Sequence, residues 1–281
     1  MKTLVAAVQM TSSADVQENL DAAARLVGQA ANAGAKLVGL PENFYLFGRK
    51  EGDKVAVAEP DGAGPIQGFL AETARRHGVW LVGGTAPIRS SDPSRVRSAC
   101  LVFDAGGNRV ARYDKMHLFR FDGTGEHRGE HYDEGRTIQH GTEPVAVDSP
   151  FGRIALSICY DMRFPELYRM LGSFDIAFVP SAFTVPTGTA HWHLLLRARA
   201  VENLAFVVAP AQGGTHAGGR RTFGHSLIVD PWGSVLAERI EEGEGFIMAE
   251  IDSAHAAEVR RSLPALDNRK IALQRINQEI R

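Results

Sequence analysis

A single α/β domain, with a mixed sheet and helices packed outside it, is the fold that the sequence predicts. Three observations carry this. Short apolar and β-branched runs alternate with helix-periodic runs along most of the 281 residues. Two hairpin patterns interrupt the βα units, so the sheet is mixed rather than all parallel. No Pro/Gly/Ser-rich linker and no internal repeat divides the chain, so residues 1–281 read as one domain.

The elements follow in order. Thr3 to Met10 is a strand, apolar and β-branched at its core positions. Asp15-Val16-Gln17-Glu18 has the pattern of a capping box and opens an Ala-rich helix to about Asn32, with Gly34 as the stop. Lys36 to Leu40 is a short buried strand broken by Pro41, Ile66 to His77 a helix ended by Gly78, and Val79 to Gly83 the next strand. Ser98 to Phe103 and Arg109 to Tyr113 flank a Gly-rich turn and form a hairpin. Residues 120–143 are polar and lack a period, which predicts a long loop of the kind that often carries function. Val145 to Val147 and Arg153 to Ile158 make a second hairpin, followed by a short helix Pro165 to Leu171 and a strand Asp175 to Val179. A helix Ala190 to Leu204 and a strand Phe206 to Ala209 come next. Ser226 to Asp230 and Val235 to Ala237 flank a turn, and Trp232 is expected to pack in the core or in that turn. A strand near Phe246 to Ile251 and a helix from about Ser253 to Arg261 close the core, and a polar tail starts at about Pro264.

Composition excludes several classes. Hydrophobic residues are 44% and charged residues 23%, so the chain is neither disordered nor fibrous. Lys plus Arg (31) nearly balances Asp plus Glu (33), and no basic block marks a nucleic-acid surface. No apolar run reaches the length of a membrane span, and Leu4 to Val8 is too short for a signal-peptide core. Two cysteines, Cys100 and Cys159, do not make a disulfide framework, so a reduced, cytoplasmic setting is expected.

Four residues stand out as chemistry. Cys159 ends an apolar strand just before a Pro-signalled helix, an elbow that exposes a side chain and offers free N–H groups to a thiolate. The bland alternative is a buried, inert cysteine, and for Cys100, inside Ala99-Cys100-Leu101-Val102-Phe103, that alternative wins. Glu42 follows a buried strand and Pro41, where desolvation raises a carboxyl toward the range of a general base; a solvated loop Glu is the alternative. Lys115, at a strand end, is either fixed positive charge or a snorkelling surface lysine. Glu134, in the long loop, is unremarkable alone. Together thiol, carboxylate and ammonium are the parts for acyl transfer through a thioester.

Three segments, LPENF at 40–44, YDKMHLF at 113–119 and SICYDMRFPELYR at 157–169, resemble the motif set of the nitrilase superfamily of carbon–nitrogen hydrolases. The likeness extends through residues 180–200 and 223–233 and covers nearly the whole chain. It implies a four-layer αββα sandwich that commonly pairs as a homodimer. It further implies Glu42 as general base, Lys115 as catalytic lysine, Cys159 as nucleophile and Glu134 as the glutamate that orients the lysine. The oxyanion would lie on Lys115 and the Tyr160 N–H. Tyr160-Asp161 replaces the Trp-Glu usual in true nitrilases. The surrounding segments look like the branch that hydrolyses ω-amides of 2-oxo acids, deaminated glutathione amidase among them. Arg163, Phe183 and Thr187 match substrate-binding positions there. A guanidinium grips a carboxylate bidentately, although Arg163 could instead form a structural salt bridge with Glu166 or Asp161. The implied substrate is a small carboxylated amide, with no metal and no organic cofactor. An N-carbamoyl amino acid hydrolase, a nitrilase, or a catalytically silent interaction protein on the same scaffold are the rival readings.

Weaker signals point to structure. His191 and His193, two apart on a helix, make a poor metal pair. Gly213-Gly214 and Gly218-Gly219 lack the strand-before, helix-after context of a phosphate loop.

Overall fold

The structure, a computed structural model, describes residues 2–123, 131–271 and 273. Its strands form two main sheets. The first runs Gly245–Asp252, Lys2–Gln9, Leu37–Gly39, Trp80–Val82, Val96–Phe103, Ala86–Arg89, with Arg109–Asp114 also paired to Val96–Phe103. The second runs Val235–Glu238, Leu227–Val229, Phe206–Ala209, Ile176–Phe178, Gly152–Leu156, Ala146–Ser149. The middle of each sheet is parallel, and hairpins extend both sheets antiparallel.

Strand alternation decides the layering. In Lys2–Gln9, Val5 and Ala7 enter the core shared with the second sheet, while Ala6 and Val8 face the helices Val16–Asn32 and Pro65–His77. The second sheet's outer face is covered by Trp192, Leu196 and Ala200 of the helix Val185–Asn203 and by Leu167 and Tyr168 of Pro165–Met170. The result is the αββα sandwich. Gly39 lets the sheets close over the site: a Cβ there would lie 2.7 Å from a Phe178 ring carbon.

Local signals explain the element ends. The Asp15 carboxylate accepts from the Glu18 N–H at 3.0 Å, a cap worth about 1 kcal/mol. The second half of the box is relayed: the Ser13 hydroxyl donates to Glu18, and the Asp15 N–H donates to Ser13 Oγ. Gly78, at φ 59°, closes Pro65–His77 as the expected left-handed cap.

Three expectations are corrected. Residues 120–143 are not a structureless loop: Arg120–Asp122 pairs antiparallel with His131–Asp133, and a 3₁₀ turn Glu134–Arg136 follows. Three-residue charged strands are too short to show alternation, and residues 124–130 of that loop lie outside the described residues. The long helix starts at Val185, not Ala190, because Pro186 opens its first turn while Thr, Val and Gly mask its period. Of the two readings of Trp232 the core one fails: the residue is 62% exposed and sits in the turn, its N–H donating to the Asp230 carboxylate at 2.9 Å. Of the tail from Pro264, residue 272 and residues 274–281 lie outside the described residues. Among the described residues no helix is long and apolar enough to cross a membrane.

Candidate active site

The site forms beyond the C-terminal ends of the parallel strands, where α/β sheets usually hold ligands. Glu42 follows Leu37–Gly39, Cys159 follows Gly152–Leu156, Phe183 follows Ile176–Phe178, and Lys115 follows Arg109–Asp114.

Lys115 is fully buried, which rules out the snorkelling alternative. Its Nζ donates to Glu42 Oε1 at 2.7 Å and to Glu134 Oε1 at 2.9 Å. Burial alone would lower the Lys115 pKa, but the Glu134 and Glu42 charges hold it well above its ordinary value. Burial likewise works to raise Glu134; the Lys115 ammonium, with help from Lys54 and the Phe119 N–H, brings it below the usual carboxylate range. One ammonium thus serves two carboxyl groups.

Cys159 adopts φ 49°, a left-handed conformation that non-glycine residues rarely take, and begins the 3₁₀ turn Cys159–Arg163. Its own N–H is spent on Pro180 O at 2.9 Å. The Tyr160 N–H falls in the first turn, where backbone donors lack an intrahelical partner. The exposure expected of the Cys159 side chain is corrected here: the residue is buried. Burial pushes the Cys159 thiol well up, Glu42 adds to this, and Lys115 and the Ala182 N–H only partly oppose them. The sulfur therefore holds its proton until a base removes it.

Asp161 holds this elbow. Its fully buried carboxylate accepts from the Ile158 N–H at 2.9 Å, the Tyr113 hydroxyl at 2.7 Å and the His117 N–H at 2.9 Å. It thereby ties the cysteine turn to the lysine segment. The Glu42 turn is wired similarly. Gln212, buried, donates to Glu42 O at 3.0 Å and to Ser12 Oγ, and Gly84 (φ 56°) packs so near Pro41 that a Cβ would meet its carbonyl at 2.1 Å. Asp161 and Gln212 as positioning residues were not foreseen. Asp161 lies within the quoted cysteine motif, whereas Gln212 gives no local signal.

A narrow cavity opens on Cys159 and is lined also by Glu42, Glu134, Tyr160, Arg163, Phe183 and Thr187. All eight residues singled out in the sequence therefore converge, Lys115 from beneath the wall. Arg163 makes no salt bridge with Glu166 or Asp161 among the described residues. Its guanidinium lies 5.6 Å from the Tyr160 ring centre and 5.5 Å from that of Phe183, and donates to His191 Nδ1 at 3.2 Å. Thr187 Oγ1 is 2.8 Å from Thr184 Oγ1. Among the described residues one group has metal-ligand character, His193 and His225 converging on Glu238 at 2.7 and 2.6 Å. None of the three lines this cavity.

The Carbon-nitrogen hydrolase family profile matches residues 4–261. The chain belongs to the carbon–nitrogen hydrolase family. This hydrolase is 41% identical over 271 residues to a protein of Synechocystis sp. named deaminated glutathione amidase, covering 95% of the chain and 97% of the relative. The crystal structure of the Caenorhabditis elegans NitFhit protein superposes with a TM-score of 0.87 at 37% identity; the match covers 96% of this hydrolase and 65% of that chain. Saccharomyces cerevisiae Nit3, a member of branch 10 of the nitrilase superfamily, superposes with a TM-score of 0.83 at 31% identity, covering 96% and 97%.

Proposed function

We propose that this hydrolase is a thiol amidase acting on deaminated glutathione, the 2-oxo acid made when the α-amino group of glutathione becomes a carbonyl. The reading rests on one observation above the rest: a buried Lys115 bridging Glu42 and Glu134 behind a cavity that holds Cys159 and Arg163. The name carried by the Synechocystis relative supplies the substrate.

The steps follow from the charges. Glu42 takes the Cys159 proton as Sγ attacks the amide carbon, so no buried thiolate accumulates next to two carboxylates. The C–S bond forms and the carbonyl electrons move to an oxyanion held by Lys115 Nζ and the Tyr160 N–H. Collapse breaks the C–N bond, and Glu42 gives its proton to the leaving nitrogen. Water then attacks the thioester with Glu42 as base. The C–S bond breaks, and the proton returns to sulfur. The net reaction is amide plus water to acid plus amine. Glu134 keeps Lys115 charged and aimed. Arg163 takes the carboxylate of the 2-oxo acid, with Phe183 and Thr187 shaping the wall around it.

In the same reading the enzyme works in the cytoplasm, where its two unpaired cysteines stay reduced. It pairs as a homodimer, with the exposed apolar side chains of Leu194, Val201, Trp232 and Ile240 as candidate contacts. The test is hydrolysis by the purified protein. Deaminated glutathione should yield 2-oxoglutarate and cysteinylglycine, and Cys159→Ala should yield neither while keeping the native circular dichroism. Turnover of N-carbamoyl amino acids or nitriles, with deaminated glutathione untouched, would overturn the substrate assignment.

A further inference from the structure

The Cys159 cavity does not end at its catalytic wall. A second, outer hollow adjoins it and shares Asn43, Glu51, Lys54 and Arg220 with it. The outer hollow adds Arg49 and Lys50, so four cations meet one carboxylate, Glu51, among the described residues that carry a permanent charge there. Glu51 is shared at long range, 3.3 Å from Lys54 and 3.4 Å from Arg220, and is itself 42% exposed.

Arg220 is the best-placed of these. Its guanidinium lies 4.5 Å from the Tyr132 ring centre and 5.2 Å from that of Phe47. Such contacts hold the planar group by its faces and leave the in-plane N–H edges for hydrogen bonding. Its Nε is buried and has no hydrogen-bond partner among the described residues. A buried unpaired donor on a charged group is costly unless a ligand completes it. The chemistry that fits is a carboxylate, which takes two parallel N–H bonds from one guanidinium.

We infer that Arg220, supported by Lys54, is a second anion site that reads the carboxylate of the leaving amine, so that the enzyme selects amides whose amine is itself an acidic peptide. This deepens the proposed function and rests on it. The two ends of the substrate divide between two cations: Arg163 beside Cys159 takes the acyl-side carboxylate, and Arg220 at the outer hollow takes the distal one. Arg220 lines both hollows, so it borders the cavity that holds Cys159. In cysteinylglycine the carboxylate carbon stands two residues beyond the scissile nitrogen, a reach of about 7 Å when extended. An amide whose leaving group is ammonia makes no use of Arg220.

Two substrates and one chemical modification test this. Deaminated glutathione and 2-oxoglutaramate share the acyl group and differ in the amine. Arg220→Gln should lower kcat/KM for deaminated glutathione, relative to 2-oxoglutaramate, by about 10- to 100-fold, chiefly through KM. Wild-type enzyme given deaminated glutathione with its glycine carboxylate capped as the amide should show a loss of the same size. Arg220→Gln should then lose little more on the capped substrate, because the two changes remove one interaction. Equal losses on deaminated glutathione and 2-oxoglutaramate would overturn the subsite and make Arg220 a wall residue, and so would full additivity with the cap. If wild-type enzyme turns over both amides and Arg220→Gln shifts neither, the subsite fails and the amidase reading stands. If wild-type enzyme turns over neither, both fall together.

Discussion

At the scale of single residues, Lys115 carries the most electrostatic weight. Removing it leaves buried Glu42 and half-buried Glu134 facing each other without the ammonium that joins them. Lys115→Met should therefore cost about 3–5 kcal/mol of stability, read as a lower denaturant midpoint. It should also lower kcat by about 100-fold or more, because the oxyanion loses a donor in the transition state. A variant that unfolds like wild type and changes only KM would make Lys115 a substrate contact instead. Glu42 and Cys159 were legible in sequence because each stands at the end of an apolar strand, where topology leaves few places to go, and Lys115 because it lies in the YDKMHLF motif at the end of a hairpin strand. Their protonation was not. Only the three-dimensional grouping of Glu42, Glu134 and Lys115 around the buried Cys159 accounts for the upward push on its thiol.

At the scale of elements, the hairpin Gly213–Thr215 with Arg221–Phe223 positions one wall of the outer hollow. His216, at its turn, docks it: Nδ1–H donates to Ser12 O at 2.9 Å, Nε2 accepts from the Thr222 hydroxyl at 2.7 Å, and the ring stacks on Phe47. Burial pushes its pKa down to about 4. A base with a depressed folded pKa stays neutral in the native state while the unfolded chain takes up a proton. Stability is therefore highest above pH 6.5 and falls as pH drops from 6.5 toward 4, by roughly 3 kcal/mol in all. Unfolding free energies measured across that window should show the slope in wild type and a flatter line in His216→Asn. An unchanged slope would place the acid sensitivity elsewhere. The sequence made this hairpin look like loose glycine-rich loop, since three-residue strands have no readable period. The same reason hid Arg120–Asp122 and His131–Asp133, the pair that brings Glu134 onto Lys115.

At the scale of the whole molecule, the site exists because two sheets close face to face. Glu42, Lys115 and Glu134 approach from the first sheet and its extensions, and Cys159 and Phe183 from the second. The sandwich was legible from the motif resemblance, whereas periodicity alone gave one mixed sheet. Strands buried on both faces read the same whether their second face meets a helix or another sheet. In the proposed mechanism this seam makes Cys159 a nucleophile that passes through a thioester. The direct measurement is acid quench of a single turnover on deaminated glutathione, followed by peptide mapping by mass spectrometry. The peptide containing Cys159 should carry one 2-oxoglutaryl group that vanishes as 2-oxoglutarate appears. Product formed with no adduct at any time, or with the adduct on Cys100, would contradict it.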